Sequence, residues 1–123
     1  MGLGKTWIAL AYIKYHPEYD VVLYVVKSKT KFQWLKEILR LIGPDHMGQI
    51  VSSSKDPWIP GFKSYITSYD LLRKVNRDEL AKLGIKLIIL DECQQIKNVD
   101  SGRTQQVRKI VADPNIKIIA LSG

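Results

Sequence analysis

Four runs of apolar, largely β-branched residues stand out along the chain, at positions 21–26, 64–67, 87–90 and 116–121. None alternates cleanly between apolar and polar, so each reads as a strand buried on both faces, as in a parallel sheet. A weaker run lies at 49–51. Between the runs, apolar residues recur at helical spacing. Trp7, Leu10, Ala11 and Ile13 mark an amphipathic first helix that stops before His16-Pro17, because proline pushes its predecessor out of helical conformation. Leu35, Ile38, Leu39 and Ile42 form a second stripe, closed by Gly43-Pro44. Leu71, Leu72 and Val75, then Leu80 and Leu83, form a third helical region with Gly84 as its C-terminal stop. Ser101 is placed to cap a further helix carrying Val107, Ile110 and Val111, which ends near Pro114. Residues 52–61, with two prolines and three serines, read as a surface loop. Strands alternating with helices predict a single α/β domain with a mainly parallel sheet and helices on both faces.

Length and composition narrow this picture only slightly. At 123 residues the chain has enough apolar surface for one small core. Nineteen Lys and Arg against twelve Asp and Glu leave a net charge of +7, which suits a polyanionic partner, nucleic acid first, or equally a solvated surface. The lone cysteine, Cys93, has no intrachain partner for a disulfide, which fits a reducing compartment. No apolar run approaches the roughly 18 residues of a membrane span, and no signal-peptide pattern opens the chain. The expectation is an intracellular protein, of cytoplasm, nucleoid or nucleus, with no membrane partner.

Two motifs carry chemistry. Gly2-Leu3-Gly4-Lys5-Thr6 is the second half of the phosphate-loop pattern G-x-x-x-x-G-K-[ST]. Gly2 and Gly4 let the backbone approach phosphate oxygens, and N–H groups at a helix start bind anions. Lys5 would reach the β- and γ-phosphates of ATP, and Thr6 would ligate Mg2+. The bland alternative is a helix N-terminus with a turn glycine. The second motif is Leu87-Ile88-Ile89-Leu90-Asp91-Glu92, an apolar strand ending in two carboxylates. It would present them at the carboxyl end of the sheet, where ligands bind in open α/β folds. Asp91 would hold Mg2+ through water and Glu92 would polarise the attacking water, so Glu92, Asp91 and Lys5 are the candidate catalytic residues. Alone, such a pair could simply solubilise a strand end.

Taken in order, these motifs and several others resemble the Swi/Snf-related DNA-dependent ATPases of helicase superfamily two. Met1-Gly-Leu-Gly-Lys-Thr6 resembles that family's DEMGLGKT loop. Val25-Val26-Lys27-Ser28 followed by Gln33-Trp34-Leu35-Lys36-Glu37 is similar to its VVP-S…QW…E segment. Ile66-Thr67-Ser68-Tyr69-Asp70-Leu71-Leu72 resembles the next motif, and Asp91-Glu92-Cys93-Gln94-Gln95-Ile96-Lys97-Asn98 resembles DEAHxIKN. Arg103-Thr104 and Leu121-Ser122-Gly123 look like the following R-T and the start of LSGTP. The short connecting segments are most like those of annealing-helicase-like and phage or bacterial members. The resemblance implies an N-terminal RecA-like motor lobe, with residues 1–123 as a partial helicase ATP-binding domain truncated at both ends. It also implies duplex DNA as partner, with contacts at Lys27, Ser28, Lys29, Ser68 and Tyr69. A second RecA-like lobe of the same parent would carry an arginine finger and half of the DNA track. The departures are Lys27 for a proline, Gln94 for the DEAH histidine, where altered rather than absent coupling is expected, and Cys93 for a small alanine.

Other readings stay open. Trp34 and Phe32 could stack on nucleic acid, although such aromatics more often pack a helix onto a sheet. The 27–29 segment could track phosphates or be a solvated loop, and Ser68 could cap a helix or face DNA. Lys97 and Asn98 could pair with a nearby helix or orient the acidic loop. His16 and His46 have no metal-site spacing and read as surface residues. The competing functions are a motor of another superfamily-two type, restriction-like or RNA-directed, and a non-catalytic fragment. By itself the chain is expected to be inactive and only marginally stable.

Overall fold

The computed structural model describes residues 2–53, 55–72, 74–75, 77–91 and 116–121. Five strands form one parallel sheet: β1 (Val22–Val25), β2 (Gly48–Ile50), β3 (Ser64–Thr67), β4 (Leu87–Asp91) and β5 (Lys117–Leu121), in the order β2-β3-β1-β4-β5. Each apolar run of the sequence is a strand, to within two residues at either end. The helix expected after Ser101 lies outside the described residues.

Alternation within the strands builds two cores. Val22, Tyr24, Ile66, Leu87, Ile89 and Leu121 face one side, under helices α1 (Gly2–Tyr15) and α2 (Lys31–Leu41). Leu23, Val25, Tyr65, Ile88 and Leu90 face the other, under the short helices α3 (Tyr69–Leu72) and α4 (Arg77–Leu83). Leu87, Ile88, Ile89 and Leu90 are wholly buried. Each such side chain contributes roughly 1.5–3 kcal/mol, so this strand anchors both layers.

Two glycines answer to geometry. Gly84 adopts φ +72° just after α4, the left-handed stop that its position after Leu83 predicts. Gly48 pairs with Ser64 so closely that a Cβ would sit 2.5 Å from the Ser64 carbonyl oxygen. The 52–61 loop is held at its start by Asp56, whose carboxylate accepts the N–H groups of Ser52 and Ser53 at 2.9 and 3.1 Å.

The first helix differs from its expected form. Ala9, Leu10 and Ile13 are buried, but Trp7, Ile8 and Tyr15 are exposed, so α1 is apolar on more than one side rather than cleanly amphipathic. Its packed face is the one on which small Ala9 lets the helix approach the sheet beside Leu10 and Ile13. Trp7 instead lies beneath the Arg40 guanidinium, 5.9 Å from ring centre to Cζ.

Candidate nucleotide and nucleic-acid site

Because every strand runs the same way, the chain leaves all of them at one end of the sheet. That carboxyl end gathers Val51 after β2, Thr67 and Ser68 at the end of β3, Val26 and Lys27 after β1, and Asp91 at the end of β4. The polar groups there are fixed by the fold. Asp91 is half-buried, and its Oδ2 accepts a hydrogen bond from the Trp34 indole Nε1–H at 3.2 Å. Trp34 is itself buried, tilted against Tyr24 with ring centres 5.5 Å apart. On the other side of β1, the Lys31 ammonium donates to the Val51 carbonyl at 3.4 Å, and the Thr67 hydroxyl donates to the same oxygen at 3.5 Å.

The direction of α1 follows from its contacts. Tyr12, near its C-terminal end, accepts a hydrogen bond at 2.8 Å from Lys117, the first residue of β5. Ile13 and Lys14 line a cleft with Asp20 and Lys63, which precede β1 and β3. The C-terminal end of α1 therefore lies at the amino end of the sheet, and the helix runs against the strands. Its first turn points toward the carboxyl end. That turn comprises Gly2, Leu3, Gly4 and Lys5, followed by half-buried Thr6. The leading N–H groups of any helix lack intrahelical acceptors, so such a turn is a ready anion donor set.

The nucleic-acid candidates divide. Lys27, Ser28 and Lys29 are exposed in a turn between β1 and α2, which Thr30 closes by donating both its N–H and its hydroxyl to the Lys27 carbonyl at 3.0 Å. Ser68 and Tyr69 are buried. The Ser68 hydroxyl caps α3 by accepting the Leu71 N–H at 3.5 Å, and its carbonyl accepts the Leu72 N–H at 3.0 Å. The aromatics of α2 divide too: Trp34 packs inward, whereas Phe32 is 69% exposed. Residues two apart on a helix point about 200° apart, so both could not face the sheet. Glu92 and the segment 93–98 lie outside the described residues, as do Arg103-Thr104 and Ser122-Gly123. His16 pairs with Glu18 at 3.3 Å, and no cluster of metal-ligating side chains occurs among the described residues.

Two features escaped the sequence reading. Lys31 is buried, although lysine at the start of a helix ordinarily faces water, and the motif carried no signal of its burial. The Trp34–Asp91 bond spans 57 residues; the sequence reading favoured packing of the Trp34 ring against the sheet, but not this hydrogen bond.

Comparison with known proteins agrees with this architecture. The SNF2-related domain matches residues 1–123. A SWI/SNF-related matrix-associated actin-dependent regulator of chromatin subfamily A-like protein 1 from Drosophila melanogaster is 30% identical over the whole chain, which spans 16% of that protein. The DNA annealing helicase and endonuclease ZRANB3 of Mus musculus is 27% identical, again over the whole chain and 12% of its own length. Among solved structures, the Sulfolobus solfataricus SWI2/SNF2 ATPase core domain superposes on the whole chain with a TM-score of 0.64 at 23% identity, over 25% of that structure. The sheet is thus that of a RecA-like P-loop lobe, and the chain belongs to the SNF2-related domain family.

Proposed function

We propose that this chain is the ATP-binding part of the first motor lobe of a DNA-dependent translocase or helicase-like ATPase, residues 1–123 forming part of its first RecA-like domain. The observation that carries the reading is the convergence on the carboxyl end of the sheet. Asp91 is held there by Trp34, and the first turn of α1 points the same way.

The donor set suits Mg2+ and ATP. Thr6 and Asp91 offer hard oxygen ligands, as magnesium prefers, and Gly2, Gly4 and Lys5 offer backbone N–H groups and a cation for phosphate oxygens. Magnesium bound with the nucleotide neutralises charge on the phosphate oxygens. Lys5 orients the terminal phosphate and stabilises its developing charge. Glu92 accepts the proton of the attacking water. The exposure of Lys27, Ser28 and Lys29 supports their meeting a DNA backbone, which needs cations and hydroxyls rather than base-reading groups. Burial of Ser68 and Tyr69 gives them a supporting part, holding α3 against the same end. A second lobe of the parent protein supplies the arginine that completes the charge around the transferring phosphate. The compartment is intracellular.

The test uses the complete protein that contains this domain. Duplex DNA is expected to stimulate ATP hydrolysis. Lys5→Ala is expected to abolish nucleotide binding, and Glu92→Gln to retain ATP while hydrolysis stops. Hydrolysis indifferent to DNA, or wild-type turnover in Glu92→Gln, would overturn the reading.

A further inference from the structure

The bond between Trp34 and Asp91 does more than fill space. An indole needs an acceptor for its one N–H when buried, and any carbonyl nearby would serve. Here the acceptor is a carboxylate oxygen at the end of strand β4, next to the central β1, 3.2 Å away. Tyr24, packed against the ring on β1, keeps the indole from turning. Trp34 also sits in the first turn of α2, the helix that follows the exposed Lys27, Ser28 and Lys29 after Thr30. The ring therefore fixes the plane of one carboxylate from a helix that begins at the cationic turn.

From this geometry we infer that Trp34 is a positioning residue for Asp91, orienting its carboxylate for Mg2+ through the indole N–H. This rests on the reading of Asp91 as a magnesium-holding group. An outer donor of this kind restricts a ligand to the rotamer that binds metal, so less ordering is required when the ion arrives. Trp34→Phe keeps an aromatic ring against Tyr24 and removes only the N–H and part of the ring.

The experiment is a Mg2+ titration of fluorescent ATP-analogue binding to the complete protein, in wild type, Trp34→Phe and Leu35→Ala. Leu35 packs against the same core from α2 and serves as a destabilised control. Trp34→Phe is expected to raise the half-saturating Mg2+ concentration about tenfold. Analogue binding in chelator alone should be unchanged, and so should the Mg2+ requirement of Leu35→Ala. An unshifted Trp34→Phe, or equal shifts in both variants, overturns the inference. A wild type without any Mg2+-dependent binding instead sinks the proposed function itself. Should Trp34→Phe fail to fold, the wild-type indole N–H signal decides, assigned by nuclear magnetic resonance against Trp7→Phe and Trp58→Phe. It is expected to move when Mg2+ and nucleotide are added together, and a stationary signal overturns the inference.

Discussion

The two ends of the sheet handle their polar groups in opposite ways. At the carboxyl end, Trp34, Lys31, Thr67 and Ser68 are all buried, and each makes a hydrogen bond to a group fixed by the fold. At the amino end the polar pairs sit in water. Lys86 meets Asp20 at 2.9 Å with both side chains about half exposed. Tyr12 stacks against both His16 and Tyr19, beside Lys117. Buried polar groups require their partners, because losing one leaves the other desolvated and unpaired, whereas exposed pairs revert to hydration at little cost. The carboxyl end is thus rigid where chemistry is proposed, and the amino end is adhesive without being demanding.

Substitutions can break that contrast. The largest effect is expected from Trp34→Ala, which removes a buried ring and the donor to Asp91. A loss of about 3–5 kcal/mol in denaturant unfolding is expected, a large share of the roughly 5–15 kcal/mol available to a domain. Lys31→Ala should cost about 1–3 kcal/mol, from the lost packing of its aliphatic stem and the lost donor to Val51. At the amino end backbone matters more than side chains. Gly84→Ala should cost about 1 kcal/mol or somewhat more, since alanine is strained at φ +72°. Lys86→Ala should cost less than about 1 kcal/mol, and less still in high salt. If Lys86→Ala proved as costly as Lys31→Ala, the contrast between the ends would fail.

Acid and alkali sharpen the same comparison. Lys86 beside Asp20 holds that carboxyl below its ordinary range, first through their hydrogen bond. A depressed carboxyl contributes stability above its unfolded value, about pH 4, and loses it as pH falls further. For a half-exposed pair the resulting decline should be slight. Burial pushes the Tyr24 phenol upward, with Ser64 only partly opposing. A raised phenol leaves stability intact below its unfolded value, about pH 10, and erodes it as pH rises beyond that. Unfolding followed against pH is therefore expected to show a steeper alkaline than acid decline from these two groups, and Tyr24→Phe should flatten the alkaline limb.

Much of this architecture was legible in the chain. The strands announced themselves because parallel strands are apolar on both faces, and even Ser64-Tyr65-Ile66-Thr67, the least apolar run, is wholly buried. Gly84 was legible because only one backbone conformation explains a glycine after Leu83. What the pattern could not convey was which face of a uniformly apolar helix packs, hence the misplaced stripe on α1, where Trp7 is exposed and Ala9 buried. Nor could it show that Lys31 turns inward while Phe32 turns out, since burial there depends on a carbonyl 20 residues away. The site was legible as motifs and direction of chain. Asp91 stands at the strand end its motif required, yet its bond to Trp34 was not legible, because the QW segment was read only for resemblance and packing.

The strand order also sets a timetable. β1, the earliest of these five strands along the chain, lies at their centre, hydrogen-bonded to β3 on one side and β4 on the other. Val25 pairs with Thr67 and with Leu90, the latter 65 positions further along. At ribosomal rates of about 5–20 residues per second, that second neighbour emerges roughly 3–13 s later. Until β3 emerges, β1 has donors and acceptors on both edges without either partner, and from then until β4 emerges one edge stays open. No hairpin can shelter it, because parallel pairing admits none. Among these five strands, β1 is thus the one most exposed to wrong association during synthesis, and the one on which chaperone capture would act first.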